Sequence, residues 1–224
     1  MKFWTAILAA GMLALCVSCG GGSKPQAANQ AQAVEVKTEN YVEAINAVKG
    51  DPHNSIVAGF QRASEAQSFR AKLETTSNGR TSLISYEFAA PDRYRMVNGP
   101  TEMIVIGDQA YIKTMGAWQK VATGIGEQMK GIRSAELAAQ VREATNVSFV
   151  QPDTLNGEPM VVYNYITTTL GAASGTSNNK TWVSLKDGLP RKSEFLSNFG
   201  SFSSKGVMTW YDYNGDVKIE PPLK

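Results

Sequence analysis

Few side chains in this 224-residue chain stand where chemistry would need them. His53 is the single histidine, in Asp51-Pro52-His53-Asn54 just ahead of a helical pattern. One histidine excludes a multi-histidine metal centre. The two cysteines, Cys16 and Cys19, both lie in the N-terminal stretch. No thiol is left after residue 19 for nucleophilic work or a disulfide. Serines are plentiful, but none sits between the glycines of a nucleophile elbow. Gly20-Gly21-Gly22 precedes a run of small and polar residues rather than a phosphate-cradling turn into a helix. Carboxylate pairs stay open, because sequence cannot place two acids side by side. The expectation is a protein that is not an enzyme and has no metal or other cofactor.

Cys19 is the exception, because its setting suits a covalent modification. Met1-Lys2 is a short positive start, and Phe3 to Val17 is apolar except for Thr5 and Gly11. That run is shorter than the roughly 20 apolar residues that cross a membrane core of about 30 Å, and it fits a secretory leader. Ser18 directly before Cys19 resembles the lipobox of bacterial lipoprotein precursors, although Cys16 stands where that pattern prefers Leu. The resemblance implies cleavage after residue 18 and acylation of Cys19. A single acyl chain holds a protein only marginally, at about 0.8 kcal/mol per buried methylene, and two or three hold it stably. With Gly20 rather than Asp after the cysteine, the same resemblance favours the outer membrane, facing the periplasm, where two membranes exist. An unlipidated secreted protein is the alternative.

Residues 20 to about 40 are rich in Gly, Ala and Gln with little to bury, so they read as a flexible tether reaching on the order of 25 Å. The organisation expected is a leader over 1–18, a lipidated tether over 19–40 and one domain over 41–224. The formal charge of the whole chain is +2, including Lys2. A nearly neutral domain offers no electrostatic case for nucleic acid.

Periodicity divides the domain. Ile56, Val57, Phe60, Ala63 and Ala66 recur at helical spacing over Asn54–Gln67, with Asn54 placed to cap the helix. A weaker helix is expected over Tyr41–Val48. After Ser68 the period becomes two: Phe69, Ala71 and Leu73, an Asn78-Gly79 hairpin turn, then Ile84, Tyr86 and Phe88. Strands follow over 93–96, 102–106, 109–115 and 117–121. A helix is expected from Ser134 to Thr145, then strands over 147–151, 160–169, 180–186, 191–197 and 207–213, with 171–179 as a loop. Short connections mean antiparallel pairing. The fold class is α+β: a large curved antiparallel sheet of about eleven strands, an unclosed half-barrel, covered by two or three helices.

Tyr86-Glu87-Phe88-Ala89-Ala90-Pro91-Asp92-Arg93-Tyr94-Arg95-Met96, then Met103 to Tyr111 around Gly107-Asp108, then Trp118-Gln119-Lys120-Val121, resemble the LolA/LolB-like and LppX/LprG-like lipoproteins. Asp187-Gly188-Leu189-Pro190-Arg191-Lys192 and the closing Val217 to Pro222 fit the same order. The resemblance covers roughly Ile56 to Pro222. It implies a half-barrel that holds lipid acyl chains or lipoproteins in its hollow.

The residues themselves are consistent with such a hollow. The candidates to line it are Phe69, Leu73, Tyr86, Phe88, Met96, Ile104, Ile106, Trp118, Val162, Ile166, Trp182, Met208 and Trp210. The choice of face in each strand is a guess, since a one-residue slip reverses a whole set. Arg93 and Arg95 are candidates to orient a headgroup. The functional expectation is a membrane-anchored, monomeric envelope protein that accepts or presents a lipid or acylated protein. The alternative is a sensing or protein-binding module of the same architecture with a filled core, recognising an envelope partner by its surface or a sheet edge.

Overall fold

The computed structural model describes residues 41–121, 134–169 and 174–223. The leader, Cys19 and the tether lie outside the described residues. The described chain belongs to one compact unit, Val34–Lys224.

Helix α1 spans Val42–Gly50 and α2 spans Pro52–Ser64. The cap of α2 is Asp51, not Asn54. Pro52 fills the first helical position, where its missing N–H costs nothing, and the Asp51 carboxylate accepts from the Asn54 N–H at 3.1 Å. The Asn54 hydrogen bond holds the Asp51 carboxyl below the usual range. A third helix, α3, spans Ser134–Arg142. It is anchored to α2 through His53, whose Nε2 donates to the Arg142 carbonyl at 3.1 Å.

The strands are β1 (Ser68–Ser77), β2 (Arg80–Ala89), β3 (Arg93–Asn98), β4 (Thr101–Ile106), β5 (Gln109–Thr114), β6 (Ala117–Val121), β7 (Thr145–Leu155), β8 (Glu158–Thr169), β9 (Gly175–Ser184), β10 (Pro190–Phe199) and β11 (Phe202–Tyr211). They form one antiparallel sheet of eleven strands in the order β6-β5-β4-β3-β2-β1-β11-β10-β9-β8-β7. Two meanders are thus joined where β1 pairs with β11, with Ala71 opposite Trp210 and Leu73 opposite Met208. β6 and β7 are the two edges and do not pair, so the sheet is an unclosed half-barrel. Three of the turns, Asn78-Gly79, Met115-Gly116 and Asn156-Gly157, have both central residues at positive φ, which suits the right-handed twist of the flanking strands.

One stretch expected as loop is strand: Gly175–Asn179 pairs with Tyr165–Thr169 across the β8–β9 hairpin. Its Gly, Ser and Asn argued otherwise, and pairing along the partner strand overrode them. The strand expected over 147–151 runs on to Leu155 past a bulge.

The helices cover the concave face. Ile45, Ile56, Phe60, Phe69, Ala71, Tyr86, Val141, Val161, Tyr163, Tyr165, Val183 and Trp210 make one core between them and the sheet. Gly59 permits the closest approach: a Cβ there would sit 3.0 Å from the Gly188 carbonyl and 3.4 Å from Val183. The outer face carries smaller apolar clusters, one of them closed by Ile219 and Val217 from the chain that follows β11.

Candidate functional site

Alternation along each strand decides which side chains face the helices. In β1, Phe69, Ala71 and Leu73 point inward; their neighbours Tyr86, Phe88 and Ile84 on β2 do the same. Inward residues of β11 are Met208 and Trp210, facing Ser193 on β10 and Leu73 and Ala71 on β1. On β8 and β9 the inward set is Val161, Tyr163, Tyr165, Val183 and Thr181.

Where α2 and α3 bridge this surface they leave a gap of about 220 Å³, lined by Phe60, Leu73, Tyr86, Leu137, Val141, Phe195, Met208 and Trp210 among others. Phe195 lies there because β11 offers Gly206 opposite it; any Cβ at Gly206 would meet the Phe195 ring and stand 2.9 Å from the Glu74 carbonyl.

One strip of the wall is polar. The Tyr165 hydroxyl lies 3.0 Å from Thr181 Oγ1, which lies 2.8 Å from Ser193 Oγ. Farther along the strands, Asn179 Nδ2 donates to Thr167 Oγ1 at 3.1 Å and to the Ser177 carbonyl at 2.9 Å. These groups satisfy one another, so the strip can be dry without the cost of unpaired polar atoms. Burial drives the Tyr165 phenol up to about 12, against the smaller lowering pull of Thr181 and Ser193. It stays a neutral hydroxyl. Among the described residues no charged side chain lines the gap.

The expected lining residues divide three ways. Leu73, Tyr86, Met208 and Trp210 line the gap. Phe69, Phe88 and Met96 share the concave face but lie beside it, Phe88 stacking between Phe69 and Tyr94 with ring centroids 5.2 Å apart on both sides. The other six are on the outer face. Ile104, Ile106 and Trp118 cluster there with Tyr111 and Ile219. Val162 and Trp182 pack with Met160 and Leu155, and Ile166, of the same parity as Val162, opposes Asn178. The physical reason is that β4 and β8 are apolar on both faces, so period two carries no direction.

Arg93 and Arg95 are also on the outer face. Arg93 donates to the Ile219 carbonyl at 2.6 Å. Arg95 is engaged by Glu102 at 2.7 Å and Glu87 at 3.3 Å. These pairs belong to a ladder across five strands and the end of β11: Asp212, Arg70, Glu87, Arg95, Glu102 and Lys113. The two arginines are therefore structural and do not reach the gap.

Sequence reasoning missed Phe60, Leu137, Val141, Tyr165 and Phe195. The two α3 residues were readable from the helical stripe of Leu137, Val141 and Ala144, had that stripe been aimed at the sheet. Tyr165 belonged to the opposite parity of β8. Among the described residues no three His, Cys, Asp or Glu side chains gather where they could hold a metal ion. No described helix is long and apolar enough to cross a membrane.

The sequence matches no family model and no curated protein. The backbone does match solved structures. LprF from Mycobacterium bovis superposes with a TM-score of 0.59 at 13% identity, over 77% of this chain and 97% of that one. The fold is LprF/LppX-like. The lipoprotein LppX of Mycobacterium tuberculosis gives a TM-score of 0.54 at 15% identity, over 76% of this chain and all (100%) of that one. In this chain the sheet wraps around the helices and leaves the gap just described.

Proposed function

We propose that this protein is a membrane-anchored envelope lipoprotein, acylated on Cys19, whose half-barrel binds an acyl chain of a lipid or acylated protein without catalysis. The observation that carries the reading is the gap beneath α2 and α3, walled by Leu73, Tyr86, Leu137, Val141, Met208 and Trp210, with no charged side chain among the described residues that line it. Its volume is below the roughly 300–1,000 Å³ of pockets that enclose drug-sized ligands. It therefore suits a stretch of one chain rather than several complete ones. Each methylene seated there contributes about 0.8 kcal/mol, so a modest length of chain suffices without polar anchors. A tether on Cys19 supports the role of local acceptor or presenter rather than free shuttle. Among the described residues His53 is engaged in holding α3, and the hydroxyls of the gap hold one another.

The test is native mass spectrometry of the Val34–Lys224 unit purified from a bacterial periplasm, with solvent extraction of the preparation. The expected result is a stoichiometric added mass that Met208→Trp removes by filling the gap, while Ile104→Trp on the outer face keeps it. A clean apo mass, with no uptake of a fluorescent fatty acid, would move the reading to a protein-binding module.

A further inference from the structure

The two ends of the sheet differ in charge. Antiparallel order puts the turns β2–β3, β4–β5, β7–β8 and β9–β10 at one end and β1–β2, β3–β4, β5–β6, β8–β9 and β10–β11 at the other. Every turn at the first end has a carboxylate in it or beside it: Asp92 and Asp108, with Arg93 next to the former, and Glu158 and Asp187, which Arg191 pairs at 3.1 and 2.6 Å. Four tips at the second end, 77–80, 98–101, 114–117 and 199–202, contain no acid. Of the carboxylates within three residues of them, Glu102 is held between Arg95 and Lys113, and Glu74 is exposed one row along from Lys205. At the α3–β7 junction, Arg142 offsets Glu143. Two exposed cations, Arg80 and Lys205, belong to this second end and make no ion pair among the described residues.

The same end carries exposed apolar side chains. Phe202 is 46% exposed, Leu83 is 55% and Leu196 is 47%, each in a tip or within three residues of one, and Met115 is fully exposed. Met115 is the most informative. Three turns of this sheet use the same pair of left-handed positions, and two of them place Asn first, at Asn78 and Asn156. Asn tolerates that conformation, whereas a bulky side chain at positive φ is a genuine outlier. Met115 has φ of 51° and contacts nothing that repays it. The turn does not need a methionine, which leaves its side chain available to a partner outside the chain. The gap also lies toward this end, since its lining extends to Thr167, Asn179 and Phe195.

We infer that the rim formed by the 77–80, 98–101, 114–117 and 199–202 tips docks on an anionic phospholipid bilayer, with Met115 and Phe202 entering the headgroup region. Acid-free tips with two free cations complement an anionic surface, and a thioether and a phenyl ring gain by leaving water. The opposite end matches such a surface less well, because Asp92 and Asp108 stand in its turns. A tether alone leaves orientation undefined; this rim defines it. The inference stands apart from the cargo, because a rim that binds vesicles while the gap stays empty would leave it intact.

Every strand pair and core cluster lies within the Val34–Lys224 unit, so that unit carries its own fold. It contains no cysteine, so single-cysteine labelling is unambiguous. A polarity-sensitive fluorophore is placed on Met115→Cys, and in a second variant on Asp108→Cys at the acidic end. With vesicles of phosphatidylcholine and phosphatidylglycerol, the label at 115 shifts to the blue and brightens, and the label at 108 does not. In flotation with unlabelled protein, Arg80→Gln and Lys205→Gln each weaken binding about fivefold, an effect that high salt erases. Met115→Ser with Phe202→Ser weakens it roughly tenfold or more. Equal responses of the two labels, or no flotation of the wild-type unit, would overturn the inference. So would a blue shift at 115 that grows with protein concentration in the absence of vesicles, which would make the rim a contact between copies.

Discussion

The two faces of the same sheet are held by different physics. The concave face is buried under three helices and made of aromatic and aliphatic side chains, with one self-satisfied hydroxyl strip. The outer face is stitched by the ladder from Asp212 to Lys113 and by the chain after β11, whose carbonyls at Asp216 and Ile219 accept from Arg70 and Arg93. A face that leaves a gap has few fixed polar partners, so the rigidity of the sheet has to be supplied from behind. The difference teaches that apolar residues on an open half-barrel are not all of one kind. Trp210 and Trp182 are both buried, yet one walls the gap and the other sits on the outer face, donating to Asp153 at 2.8 Å between Lys180 and Lys192.

Truncating these two tryptophans gives the largest contrast. Trp210→Ala removes a ring that meets Phe60 edge-on at 6.0 Å and opens a void no water can fill favourably. It should cost about 3–5 kcal/mol. Trp182→Ala, where water and the lysine stems can collapse onto the site, should cost about 1–2 kcal/mol. Urea unfolding of both variants checks this, and equal costs would break the distinction between the faces.

Alkali should act on the concave side next. Burial raises the phenols of Tyr163 and Tyr165, the latter to about 12, and that of Tyr213 as well. The folded state keeps these protons while the unfolded chain gives them up near the ordinary value of about 10. Their contribution is therefore fully present below pH 10 and is lost as pH rises through 12. For Tyr165 alone it amounts to roughly 2–3 kcal/mol. The unfolding midpoint in urea should fall between pH 10 and 12, and Tyr165→Phe should flatten that fall. A profile indifferent to Tyr165→Phe would show the phenol to be reachable by water.

The contrast between faces also explains what was legible. Strand count, antiparallel order and the three helices were readable because Asn78-Gly79, Gly107-Asp108 and the alternation around Phe69 and Tyr86 are local signals. So was the inward face of β1, where Phe69, Ala71 and Leu73 alternate with Arg70, Lys72 and Glu74. The inward face of β4 and β8 was not readable. Met103-Ile104-Val105-Ile106 and Met160-Val161-Val162-Tyr163 are apolar at every position, because the outer face there is buried too, by Ile219 on one strand and by Trp182 and Leu155 on the other. Arg93 and Arg95 looked like headgroup ligands because their partners Ile219, Glu87 and Glu102 come from separate elements that only the pairing register unites. The gap itself depends on where α3 lies over the sheet, which no spacing within one segment encodes.

The smallest effect expected is at the centre of the outer ladder. Glu87 bridges Arg70 at 2.9 Å and Arg95 at 3.3 Å, but all three side chains keep part of their surface in water. Glu87→Gln preserves size and an acceptor while deleting the charge. Because exposed ion pairs are weak, the loss should be about 0.5–1 kcal/mol. Screening makes it a function of salt, so the difference from wild type in urea midpoint should shrink toward zero as ionic strength rises. The uptake of acyl probe should be unchanged, since the ladder faces away from the gap. A loss independent of salt, or a parallel loss of acyl binding, would mean that the two faces are coupled through β1 and β2 and that the ladder sets the shape of the gap as well as the stiffness behind it.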